Sequence, residues 1–474
     1  MLFNSVDFLL FFLVVYSLYL VLRHRWQNWF LIVASCAFYA AWNWKFLLLM
    51  FVSISTDFFC SNYIARTDDP LKKRFWLWLS IGVNLAILGF FKYFNFFAGQ
   101  VQGVLQAFHF LPDSFSMALN IVLPVGVSFY TFEAISYVVD VYRGQIRPAQ
   151  RYWDYVLFVI YFPHLIAGPI MRAKDFLPQI VAPRVFRWEQ FYEGCHLFFW
   201  GLFEKVFIAD NLAKIVNPVF AAQGPYHGDA VLIALYAFAF QIFCDFDGYS
   251  NMARGLGKCM GFEISINFRI PYFSKDPHEF WQRWHISLSS WFRDYVYIPL
   301  GGNRCSVMKM SGNLLVTMLL CGFWHGASWM FLFWGGYHAV ILIGHHLIAL
   351  WRGGADKAPD KEGDRWRLLK VFFFFHLVVI GWLLFRAPSV EQAWGMFCAI
   401  FTNFHGADFI QMMPRLLGFI VVLLGVQWGQ WKSGDLLFMA RVSPFFRIAF
   451  YALLTYLMVG FGVMNSEEFI YFQF

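Results

Sequence analysis

"LLCGFWHGASWMFLFWGGYH", residues 319–338, sets His325 and three tryptophans in a stretch that otherwise reads as lipid-soluble, with glycine at 322, 326, 335 and 336. An ionisable ring inside a membrane segment is rare and marks function. What surrounds the stretch decides whether it is one. Of the 474 residues, 60% are hydrophobic, 22% are aromatic and 14% are charged, with a mean hydropathy of +0.55. A soluble chain is about one quarter charged. Similar apolar runs recur along the whole length, with no polar block large enough for a separate soluble domain. The chain therefore reads as one all-α integral membrane domain over 1–474.

The spans fall near 8–22, 29–42, 46–64, 76–92, 119–140, 192–215, 230–247, 312–326, 328–350, 369–386, 414–431 and 446–464. That gives about 11–12 transmembrane helices, several of them shorter than the roughly 20 residues of a perpendicular crossing and so tilted or re-entrant. The run 8–22 has no basic residue before it and no cleavage site after it, which marks a retained helix rather than a signal peptide. Residues 152–170 have basic residues on both sides, a pattern that a re-entrant pair satisfies. Residues 393–404 suit an outer interfacial helix. The eight cysteines form no C-x-x-C pair and predict neither a disulfide framework nor a zinc site.

The net charge of +7 lies in short loops rather than on a nucleic-acid-binding face. Arg23 and Arg25, Lys72 to Arg74, Arg143 to Arg151, and Arg352 to Lys370 mark cytoplasmic loops by the positive-inside rule, which puts both termini outside. In a bacterium that means a multi-pass protein of the cytoplasmic (inner) membrane with periplasmic termini. No nucleic-acid partner is expected; membrane lipid is.

The interval 245–304 is too polar to span and too aromatic for a solvated loop. Its basic residues place it on the cytoplasmic side, and Phe280, Trp281, Trp284, Ile286, Leu288 and Trp291 give it an apolar face, as expected of short helices lying in the interface. Asp245 and Asp247 end an apolar run, where an ionised carboxylate costs on the order of 2.5 to 3.5 kcal/mol, so partners such as Arg254, tryptophan or backbone donors are expected. His285 sits between Trp284 and Ile286.

Five blocks now stand in order: "FPHLIAGPIMR" (162–172), "DFDGYSNMARGLGKCMGF" (245–262), "FWQRWHISLSSWFRDYVYIPLGGN" (280–303), "GFWHGASW" (322–329) and "EEFIYFQF" (467–474). Together they resemble the membrane-bound O-acyltransferase (MBOAT) family, in the bacterial branch that O-acetylates exported polysaccharides such as alginate, cellulose and peptidoglycan. The resemblance implies an all-α MBOAT fold of membrane, re-entrant and interfacial helices enclosing a central tunnel. It maps the family's intramembrane histidine onto His325 and its second polar position onto His285, both expected to be catalytic. It implies acetyl-CoA as donor substrate, no permanently bound cofactor, and a periplasmic hydrolase-like acetyltransferase as partner. The branch commonly reads D-F-S-G-Y-S-D where this chain has Asp245, Asp247 and Asn251, so an acid has changed place. Trp324, Trp329, Asp245, Asp247, Tyr249, Trp284, Arg293 and Asn303 are expected to line the donor site or tunnel.

The chemistry stands without the family name. Acyl transfer from a thioester to an alcohol must remove a hydroxyl proton, and a neutral histidine in an apolar setting is a natural base. The flanking glycines allow close approach by a substrate or another backbone. His338 and His345 share a helical face, but no carboxylate or cysteine completes a metal set, and no metal is expected. His164 reads as structural. The alternative class is a membrane transporter or proton-coupled carrier using His325, Asp245, Asp247, Glu133 and Asp140. Such proteins commonly show two related halves, and none is visible in this sequence.

Overall fold

Helix boundaries follow the apolar runs because backbone groups in lipid must be satisfied within the segment. The computed structural model describes residues 1–166, 168–353, 364–463 and 469–470. Part of the 352–370 connection and most of the closing "EEFIYFQF" block lie outside these. Among the described residues, eight helices are long and apolar enough to cross a membrane, and the shorter apolar helix Val6–Val21 matches the first run. The chain divides into two compact units, Met1–Gly194 with Leu256–Ser265, and Cys195–Gly255 with Ile266–Phe474.

In the first unit the expected fourth span is one arm of a longer rod. Pro70–Leu88 continues through a π turn, Gly89–Tyr93, into Phe94–Ala107. The span expected at 119–140 becomes helical only at Val127–Tyr142, which Gly126 opens from a left-handed conformation (φ +77°). The 152–170 stretch is broken rather than continuous: Tyr152–Ile160 and Phe162–Leu165 are followed by Ala173–Val181. Its freed backbone groups find side chains, as buried breaks require. The Phe162 N–H donates to Ser35 Oγ (3.1 Å) and the Met171 N–H to Glu133 Oε1 (2.7 Å). His164 faces the same carboxylate at 3.4 Å.

In the second unit the helix expected at 230–247 runs on as Gly228–Cys259. Asp245 and Asp247 therefore lie within a helix, and the short helices begin only afterwards, with Pro277–Arg283 and Ile286–Phe292. Val390–Thr402, thirteen residues long and too short to cross, covers most of the 393–404 stretch. The stretch that opened the sequence reading is a helical hairpin, Val307–His325 and Trp329–Trp351, with Ser328 accepting the Met330 N–H at 3.1 Å as its second N-cap. Gly322 lies against the Phe331 carbonyl and Gly335 against the Met318 carbonyl, so a Cβ at either would strike backbone. These glycines bring two helices together, as small residues do in membranes; it is a backbone that approaches here.

Candidate active site

His325 is the last residue of its helix and is 3% exposed. Its ring meets Trp324, Trp334 and Phe385 edge to face, at centroid distances of 5.0, 5.1 and 5.3 Å. Phe385 comes from the helix Asp364–Arg386, so a third element closes the wall. The Trp324 indole is shared. His285, fully buried, packs edge-on to Trp324 at 5.9 Å and to Phe246 at 4.5 Å. The two histidines picked from sequence, 40 positions apart, thus adjoin one tryptophan.

His285 is held in an unusual way. It lies between two short helices with φ +41° and ψ 55°, a left-handed conformation that a non-glycine residue keeps only where its surroundings impose it. Two backbone bonds do the imposing: the Arg269 N–H donates to the Arg283 carbonyl and the Ile286 N–H to the Asn267 carbonyl. Trp284 beside it stacks on Phe280 at 5.6 Å and meets Trp382 at 4.8 Å. Burial pushes the His285 ring down to about 3, so it is neutral at physiological pH.

The cluster holds a third histidine that sequence reasoning set aside. His338, 2% exposed, meets Trp334 at 4.8 Å, one ring from His325, and stacks on Phe280 at 6.2 Å. Its signal was periodicity: Met330, Phe331, Trp334, Gly335, His338 and Ala339 form one buried stripe on their helix. Among the described residues, both ring nitrogens of His285, Nε2 of His338 and Nε1 of Trp334 have no hydrogen-bond partner. Each such atom costs about 1–3 kcal/mol when left unpaired, so these rings have capacity to bond a guest.

The expected lining residues separate into three groups. Trp324 and Trp284 belong to the box. Asp245 and Tyr249 belong to a different buried cluster, in which Lys205 Nζ lies 2.7 Å from both Asp210 Oδ1 and Asp245 Oδ1. The Ile470 N–H donates to the other Asp245 oxygen at 2.8 Å, and Tyr249 packs on Phe469 at 4.7 Å. Lys205 is therefore the cation on Asp245, with the Ile470 amide as a backbone donor of the kind expected, while Arg254 acts on Asp247. A π turn, Glu204–Ala209, interrupts the helix that carries this lysine. Contact between Gly201 and the Gly248 carbonyl lets the two helix backbones touch beside it.

Asp247 faces a narrow polar cleft of about 30 Å³ with Glu204, Asn251 and Arg254. Asn251 donates to Glu204 (3.1 Å) and accepts from Arg254 (3.0 Å), while Asp247 also bonds Glu204. Positions 247 and 251 are one helical turn apart on the same cluster, so the displaced acid of this block stays in the same neighbourhood. The third group is outside altogether. Trp329 is 54% exposed, Asn303 is exposed, and Arg293 is exposed and paired with Asp294 at 2.8 Å. These three lie at the exposed ends of their segments.

The arrangement offers an enclosed imidazole with aromatic walls, suited to proton transfer in a dry site. Two of the four carboxylates named for a proton relay have other partners, Asp245 with Lys205 and Glu133 with the Met171 amide. Three carboxylate or imidazole groups, His227, Asp229 and Asp408, lie within metal-like reach of one another, but Asp229 there accepts the Asp408 N–H (3.0 Å) at the start of the Ala407–Ser433 helix.

Residues 151–385 match the sequence model of MBOAT, the membrane-bound O-acyltransferase family. The chain is similar to the "Probable alginate O-acetylase AlgI" of Pseudomonas putida, 42% identical over 404 residues, covering 85% of this chain and 80% of the relative. It is similar to the "Peptidoglycan O-acetyltransferase" of Helicobacter pylori, 33% identical over 426 residues, covering 83% and 78%. A "Teichoic acid D-alanyltransferase" of Bacillus subtilis is 29% identical over 289 residues, covering 58% of this chain and 71% of the relative.

Proposed function

Because this chain belongs to the membrane-bound O-acyltransferase family, we propose that it takes acetyl from a cytoplasmic thioester, acetyl-CoA, and passes it across the bacterial inner membrane for O-acetylation of an exported polysaccharide. It is a multi-pass membrane O-acyltransferase; the donor, the acetyl group, the glycan acceptor and the direction are our reading. The observation that carries it is the pair His285 and His325, both in ring contact with Trp324 and buried in aromatic walls. The acetyl group and the glycan acceptor are supported by the names of the alginate and peptidoglycan relatives.

In this mechanism His325 removes the acceptor hydroxyl proton as the oxygen attacks the thioester carbonyl. The carbon–sulfur bond breaks, the thiol of CoA leaves and the new ester carries the acetyl group. An enclosed site strengthens the interactions that stabilise the charge developing on the carbonyl oxygen. His285 handles the donor on the cytoplasmic side. If so, His285→Ala weakens acetyl-CoA binding to the purified protein more than His325→Ala does; equal donor affinity in the two variants would reduce His285 to an anchor.

Holding a glycan hydroxyl in attack geometry needs a cleft with several convergent polar groups, and the outward loops of this chain are short. The periplasmic hydrolase-like acetyltransferase supplies that cleft, accepting acetyl on a hydroxyl of its own before the glycan receives it. Topology is tested separately. Cysteines introduced at 73 and 357 in a cysteine-free background react only with reagent on the cytoplasmic side, and those at 43, 224 and 474 only from the periplasm. An outward-reactive 357 would overturn the sidedness assigned to the His325 hairpin.

A further inference from the structure

The first unit carries a basic groove that the acyl-transfer chemistry does not use. It is open, about 990 Å³ in volume, and is lined from three places: the start of the His24–Asn43 helix, the loop leading into Tyr152–Ile160, and the Ala173–Val181 helix. These bring together Arg25, Arg147, Arg151 and Lys174, all exposed. Asp154 is the one carboxylate in the lining, and it lies near Arg151. Among the described residues none of the four cations is in an ion pair. Four cations gathered around a concavity repel one another, and salt screens them only in part at this range. They are stable together when an anion joins them.

Two tryptophans say which kind of anion. Trp29 and Trp153 meet at 4.8 Å on the groove wall, and Trp153 is 43% exposed. An exposed indole beside arginine at the end of membrane helices is the composition of the headgroup level, where the ring lies among glycerol and upper acyl groups. Basic pockets between helices on the cytoplasmic side of a membrane take up phosphate headgroups. We propose that this groove binds the phosphodiester headgroup of an acidic phospholipid on the cytoplasmic side, with the guanidinium groups on the phosphate oxygens and the two indoles against the glycerol region. Arginine suits that role because its planar fork meets two phosphate oxygens at once. The side of the membrane rests on the topology given above; the site itself does not depend on the acyl-transfer reading.

The test uses the full chain purified in a neutral detergent. Retention of cardiolipin and of phosphatidylcholine is measured by mass spectrometry of the intact complex. Cardiolipin is expected to be retained in preference, and Lys174→Gln, a single exposed side chain, should weaken its retention about five-fold. The combined Arg25→Gln, Arg147→Gln, Arg151→Gln variant should lose it more than about ten-fold while eluting as a single species. Equal retention of the two lipids, or undiminished cardiolipin in both variants, would overturn the proposal. Excess acetyl-CoA should leave cardiolipin in place. Displacement by acetyl-CoA would assign the phosphate site to the soluble donor and overturn the lipid assignment, whereas loss of acetyl transfer with lipid retention intact would bear on the acyl-transfer reading alone.

Discussion

His325→Ala is expected to lower acetyl transfer by about 10²- to 10⁴-fold, the usual effect of losing general-base catalysis. Insertion into the membrane should survive, because the hairpin that carries His325 is built on glycine contacts at 322 and 335 and on the Ser328 cap, none of which involves the ring. The comparison that separates chemistry from packing is His325→Gln. It fills much of the space among Trp324, Trp334 and Phe385 but has no basic nitrogen. Both variants should be inactive and both should elute as single species in detergent. A glutamine variant acetylating at the wild-type rate would remove His325 from the chemistry.

Lys205→Met is expected to be the most destabilising single change in the second unit. It leaves Asp210 and Asp245, each 2.7 Å from the lysine nitrogen, as two buried carboxylates without their cation. Breaking a buried ion pair by removing one partner costs about 3–5 kcal/mol, while replacing all members by neutral groups is often nearly free. The Lys205→Met, Asp210→Asn, Asp245→Asn triple variant should therefore recover much of the thermal stability that the single variant loses. The amide introduced at position 245 keeps an oxygen for the Ile470 N–H. An active triple variant would assign Asp245 to architecture. A stable but inactive one would return it to the donor site where the motif first suggested it belonged.

The apolar runs were legible because a bilayer leaves the chain no other way to satisfy its backbone, and the hairpin at 307–351 appears close to where hydropathy put it. His325 and His285 were legible for the opposite reason, as polar rings in apolar company. The end of the helix at Asp245 was not. Its charge looked like a boundary because Lys205 lies 40 positions away, and no periodicity announces a partner at that separation. The left-handed backbone at His285 is equally silent in sequence, since it is imposed by pairing with 267 and between 269 and 283. His338 was weighed only as a metal ligand beside His345, since a histidine on a mostly apolar helix reads alike whether it faces lipid or protein. Only the buried stripe running through Trp334 distinguishes the two. Trp329, Arg293 and Asn303 are exposed, and membership of a motif does not say which way a side chain points.

The central claim is that acetyl enters on one side of the membrane and emerges on the other by way of His325. Its most direct measurement uses sealed proteoliposomes holding the purified chain, with labelled acetyl-CoA on the cytoplasmic face and the hydrolase-like acetyltransferase on the other. Labelled acetyl should appear on that partner with the wild-type chain, vanish with His325→Ala, and reach an added oligosaccharide only when the partner is present. Label that crosses equally with His325→Ala, or that acetylates the oligosaccharide with the partner omitted, would contradict the account.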